Sequence, residues 1–154
     1  MAILAFQKPE KVIMLESTSS FGRFEFRPLE PGFGMTVGNA LRRILLSSLE
    51  GYAITTVKVA GVDHEFAAIP GVMEGMLEII LNLKQLSAKL YSDEPKTVTL
   101  KADGPCEVTA ENITVDSEVE IINPSLHIAT LNEEAHLDMQ ITLEKGRGYV
   151  GVDK

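Results

Sequence analysis

Cysteine is almost missing: Cys106 is the single one in 154 residues. No internal disulfide can form, which excludes a secreted scaffold stapled by disulfides. Long apolar runs are missing too. None reaches the ~18 residues that a membrane-spanning helix needs. The apolar start, Met1 to Phe6, is interrupted by Gln7-Lys-Pro-Glu-Lys11 and lacks the basic start and long apolar core of a signal peptide. A cytoplasmic protein is the simplest expectation, with no membrane contact. Positive charge is scarce: 14 Lys and Arg stand against 22 Asp and Glu, a net charge of −8. Affinity for phosphate rests on clustered Lys and Arg, which argues against a general nucleic-acid binder. The local exceptions are Arg42-Arg43 and Lys145 with Arg147. Partners should be proteins, and electrostatics favours basic ones.

Catalytic constellations are also lacking. A polymerase-type centre needs clustered aspartates around two magnesium ions. The nearest approach is Asp116, Glu118 and Glu120, which could share one strand face but read better as a solvated or edge-guarding face. His64-Glu65 begins like a zinc-protease helix, yet Ala68 stands where the second histidine is required. His127 and His136 have no companions at ligand spacing, and there is no G-x-S-x-G. The expectation is no catalytic residue, no metal, no cofactor and no small-molecule substrate.

What is present centres on residues 29–51. Pro28, Pro31, Gly32 and Gly34 make a bend, and a helix is expected from about Thr36 to Glu50, capped by Thr36 and stopped by Gly51. Val37, Ala40, Leu41, Ile44, Leu45 and Ser48 recur at helical spacing on one face, with Leu46 and Leu49 widening it. Arg42 and Arg43 interrupt an otherwise broadly apolar helix. Two packing faces explain this pattern better than one. A phosphate loop is the competing reading of Gly32–Gly38, but no lysine follows the glycines, and Val37 stands where a dinucleotide fingerprint needs its third glycine.

Around that helix, 11–16 reads as a buried strand and 21–27 as an alternating one, joined by the turn Ser17-Thr-Ser-Ser20. Residues 52–60 read as a β-branched strand. Gly61 breaks it, and Val62, His64 and Phe66 alternate again. A second helix is expected over 72–86, with Val72, Met76, Ile79, Leu83 and Leu86 as its stripe. Strand signals at 97–102, 118–122, 126–131 and 137–143 follow, separated by turn clusters. Two helices among largely local strands indicate α+β.

Gly32-Phe-Gly-Met-Thr-Val-Gly-Asn-Ala-Leu-Arg-Arg-Ile-Leu-Leu-Ser-Ser48 resembles the first-helix signature of bacterial RNA polymerase α subunits. Gly61-Val-Asp-His-Glu-Phe66, Leu77-Glu-Ile-Ile-Leu-Asn-Leu-Lys84, Val119-Glu-Ile-Ile122 and Gly146-Arg-Gly-Tyr-Val150 continue the resemblance in the family's order. The resemblance implies a partial dimerisation domain at 1–51, strands plus first helix, and an inserted, mostly antiparallel β-rich domain with one helix at 52–154. The family's returning segment has no counterpart here, so a truncated N-terminal region is expected. The resemblance further implies an assembly scaffold within DNA-directed RNA polymerase. A homodimer would form through Val37, Gly38, Leu41, Ile44, Leu45, Ser48 and Leu49. The β and β′ subunits would dock through Gly34, Asn39, Arg42, Arg43, His64, Glu65, Lys84, Arg147 and Tyr149, with no direct nucleic-acid contact. The alternatives are a stand-alone protein-interaction module and a phosphate-binding enzyme using the Gly32–Gly38 loop.

Overall fold

The structure, a computed structural model, describes residues 5–151. It divides into two compact units, the first ending at Leu49 and the second beginning at Glu50.

The first unit contains β1 (Lys11–Ser17), β2 (Gly22–Arg27) and α1 (Phe33–Ser47). The strands form an antiparallel hairpin that sets Met14 opposite Phe24 and Val12 opposite Phe26. The hydroxyl of Thr18 shapes the turn by accepting from the amides of Ser20 and Phe21. The strand expected to be buried is not: Val12, Met14 and Leu15 are exposed, and only Ile13 is half-buried. The reason is the size of the unit. One hairpin and one helix offer too little surface to enclose a core.

α1 begins three residues before the expected start. Gly32 takes φ +87°, a left-handed turn open to glycine, and the amide of Phe33 donates to the carbonyl of Glu30. Thr36 therefore lies inside the helix and does not cap it. The end shifts as well. Ser48 closes α1 by donating its amide to Ile44, while Glu50 and Gly51 enter the next strand. Gly51 is thus a strand residue, not a helix stop. Gly34 and Gly38 are helical, so the Gly32–Gly38 stretch forms no loop around a phosphate.

The second unit holds β3 (Glu50–Val59), α2 (Met76–Leu83), β4 (Ala88–Leu90), β5 (Lys96–Asp103), β6 (Cys106–Thr109), β7 (Ile113–Thr114), β8 (Val119–Ile121), β9 (His127–Leu131) and β10 (His136–Arg147). A four-stranded antiparallel sheet runs β3-β10-β5-β7, beside the pairs β4-β8 and β6-β9. The chain is therefore α+β. β10 is the central strand. Its alternating Leu137, Met139, Ile141 and Leu143 are all buried, opposite Leu100 and Val98 of β5 on one side and Val59 of β3 on the other. α2 packs on β9 and adds Met76, Ile79 and Leu83 to this core. Burying each such side chain contributes about 1.5–3 kcal/mol.

α2 is shorter than the expected 72–86, because long-range pairing claims the residues before it. Val72 bridges to Leu131, and the amide of Met73 donates to Thr130. Gly75 then caps the helix, its amide donating to the carboxylate of Glu78. After Leu83 the chain tightens, with the amide of Leu86 donating to Leu83 three residues back. The alternation Val62–Phe66 forms turns rather than a strand, with the amide of Ala67 donating to His64. β4, β6 and β7 carry no counterpart among the expected elements.

Candidate functional site

The residues of the first unit expected to dimerise or dock lie on or directly after α1. None of the helix residues is buried. Leu41, Ile44, Leu45 and Leu49 are more than half exposed, and Val37 is half-buried. A helix turns roughly 100° per residue. That places Val37, Leu41, Ile44 and Leu45 on one face and Asn39, Arg42 and Arg43 on the opposite one. Gly34 and Gly38 fall toward the apolar face, so Gly34 is separated from Asn39, Arg42 and Arg43, the other α1 residues expected to dock. Ser48 and Leu49 follow the last helical residue. Neither Arg42 nor Arg43 takes part in an ion pair among the described residues.

In the second unit the residues expected to dock come from three places. His64 and Glu65 sit in the exposed turns after β3, Lys84 follows the last residue of α2, and Arg147 ends β10. Tyr149 is 92% exposed. No hydrogen bond or ion pair joins these three places among the described residues. The Gly146–Val150 run is only partly a loop. Gly146 and Arg147 are paired strand residues facing Gly51 and Glu50, and the left-handed turn follows at Gly148.

An ionic clasp holds that end of the sheet, joining residues too far apart in the chain for any spacing to reveal it. Lys145 Nζ lies 3.1 Å from Glu50 and 3.2 Å from Asp93, and Arg147 donates to Glu50 at 3.3 Å. Lys145 and then Arg147 hold the Glu50 carboxyl below its ordinary range, while Glu50 and then Asp93 raise Lys145. Asp116 and Glu118 are taken up by Lys96, and Glu120 accepts from the Tyr91 hydroxyl at 2.5 Å. No group of three or more His, Cys, Asp or Glu is placed to hold a metal among the described residues.

His127, which has no companion nearby in sequence, has two in space. Its Nε2 lies 2.9 Å from Glu74, and its Nδ1 2.9 Å from Glu107. Glu74 also accepts from the amide and the hydroxyl of Thr130, at 2.7 and 3.0 Å. Burial pushes the Glu74 carboxyl up, but the Thr130 amide and His127 outweigh it and hold it below the ordinary 4.5. The bond to Glu74 raises His127 above its ordinary 6.5, against burial and with help from Glu107.

A raised histidine stabilises the fold fully below 6.5 and loses that contribution as pH climbs through its folded value. A depressed carboxyl contributes fully above 4.5 and loses it as pH falls through its own folded value. The contribution of this cluster is therefore expected to peak between those limits. Urea denaturation across pH checks it, and the alkaline decline should flatten in His127→Gln.

The described residues form an α+β fold with an exposed apolar helix that carries an arginine face, and a β-rich unit with charged edges. Residues 57–154 match the RNA polymerase Rpb3/RpoA insert domain. Over 157 aligned residues the chain is 56% identical to a DNA-directed RNA polymerase subunit alpha of Phocaeicola vulgatus, covering 100% of this chain and 48% of the relative. The subunits of the same description from Symbiobacterium thermophilum and Bacteroides thetaiotaomicron are 53% and 55% identical, over 99% and 100% of this chain and 49% and 48% of theirs. The chain belongs to the bacterial RNA polymerase α-subunit family. It spans about half the length of the curated relatives it matches.

Proposed function

We propose that the chain is an assembly scaffold of DNA-directed RNA polymerase. It forms a homodimer through the apolar face of α1 and docks the β and β′ subunits, which bring the nucleotidyl-transfer chemistry to the complex. In this reading it works in the cytoplasm, without a cofactor or substrate of its own and without touching nucleic acid. The first unit is the opening part of the dimerisation domain, and the second is the inserted domain. The observation that carries the reading is α1 itself. It is a 15-residue helix with no buried residue, in a chain whose whole length aligns with about half of an α subunit.

Such a helix has few ways to persist in water alone, because helical stability comes mainly from packing an apolar face. A second copy supplies that cover, since a two-fold contact is self-complementary. Asn39, Arg42 and Arg43 then remain available on the opposite face. A guanidinium fork there suits bidentate pairing with a carboxylate of a larger subunit. Arg43→Ala is expected to keep the fold, by circular dichroism, while weakening affinity for β about tenfold or more by titration calorimetry. An unchanged affinity would remove Arg43 from the docking surface.

A further inference from the structure

The chain between β3 and α2, residues 60–75, has no regular secondary structure apart from one bridge, yet it is tied down at its C-terminal end. Gly71 accepts from the Asn132 amide at 2.9 Å, Val72 bridges Leu131, and Met73 donates to Thr130 at 3.0 Å. Glu74 adds the side-chain anchor. Its side chain is 15% exposed, and its two oxygens receive Thr130 and His127. His127 also reaches Glu107 on β6, whose side chain is 66% exposed. One imidazole therefore joins three elements: the segment before α2, β9 and β6.

The proton count follows from this geometry. A neutral imidazole carries one N–H and one bare nitrogen; only the imidazolium donates from both. Both ring nitrogens here face carboxylate oxygens at 2.9 Å. Glu74 is itself held as an anion by the donors of Thr130. A bare nitrogen against either carboxylate would set two acceptors against each other. Glu74, from the segment before α2, and Glu107, from β6, are the charged groups bonded to the ring among the described residues; the Thr130 hydroxyl of β9 shares Glu74 Oε1 with it.

We propose that His127 is a positioning residue held as an imidazolium, which clasps the 60–75 segment to β6 and β9 and loosens that grip when it loses its proton. On deprotonation the ring keeps one donor. Either Glu107 swings into solvent, or Glu74 is left with Thr130 alone. The outcome is graded: the backbone bonds of Gly71 and Met73 persist, while the side-chain anchor weakens. The clasp makes the order of an exposed surface segment, including Phe66 and Met73 at 77% and 81% exposure, depend on the protonation of His127 and hence on pH.

The test is nuclear magnetic resonance on the intact chain from about pH 5.5 to about pH 9. The ring nitrogens of His127 should both be protonated at neutral pH. Their titration midpoint should reappear in the amide shifts of Met73 and Thr130. Hydrogen-exchange protection at those amides should fall about tenfold through the same midpoint, the loss of roughly one charge-assisted bond. In His127→Gln, which does not titrate, protection should stay flat with pH. If that variant does not fold, Glu107→Gln, at an exposed site, should lower the His127 midpoint. A ring that is neutral at neutral pH, protection at Met73 and Thr130 that ignores the titration, or a midpoint indifferent to Glu107→Gln would each overturn the clasp. No partner enters the measurement, so its failure and the failure of the docking reading are separate results.

Discussion

Leu83→Ala is expected to destabilise the second unit by about 2–5 kcal/mol, the cost of deleting a buried leucine and leaving a cavity. Leu83 is 2% exposed and belongs to the same core as Ile79, Ile128 and Leu137, which are all 0% exposed. α2 has little freedom to move into the space. The side-chain amide of Asn82 donates to the carbonyl of Ile128 at 3.0 Å and fixes the helix against β9. Leu81, two residues away and 52% exposed, is an internal control. Its alanine variant should change stability by no more than about 0.5 kcal/mol. Chemical denaturation of the three proteins gives the comparison. Equal midpoints for Leu83→Ala and the parent would take α2 out of the core.

Ile44→Glu should have the largest effect on association. Ile44 lies in the middle of the α1 stripe and is 54% exposed within the chain. If a second copy covers that face, the new carboxylate must be buried there without a partner. That penalty is several kcal/mol, so self-association should weaken by about 100-fold or more. Sedimentation over a range of concentrations reads this directly, and the parent should shift toward larger species as concentration rises. Hydrogen exchange on 33–47 adds a second readout, with protection tracking association. A parent that stays monomeric at every concentration, with slow exchange throughout α1, would sink the dimer interface.

Much of the second unit was legible because its signals are local and repeat. Leu137, Met139, Ile141 and Leu143 alternate without interruption, and β10 is where they fall. Three kinds of feature stayed hidden. β4, β6 and β7 have three, four and two residues, too few for an alternation to register. The start of α2 was misplaced because Val72 fits a helical stripe as well as it fits a bridge, and only Leu131, far away in sequence, decides between them. The His127 cluster draws on residues 53 and 20 positions away, beyond any spacing rule. In α1 the apolar face and the opposed arginines were readable from periodicity. The partners assigned to those faces came from the family resemblance and from nothing in the residues alone.

The pairing of β3 with β10 has a consequence for biosynthesis. Glu50 and Arg147 are neighbours in the sheet, although 97 positions separate them in the chain. At a synthesis rate of about 5–20 residues per second, β3 waits roughly 5–20 s for the strand that completes it. During that interval the nascent strand lacks its native sheet partner, β10, and its Val57 and Val59 have no sheet to enter. β3 already carries Thr55, Thr56 and Lys58 on exposed positions, and a lysine on a lone strand discourages pairing with the wrong chain. β10, the last strand of the second unit among the described residues, is the one around which its sheet closes, so the second unit cannot complete its fold until nearly all of it has left the ribosome.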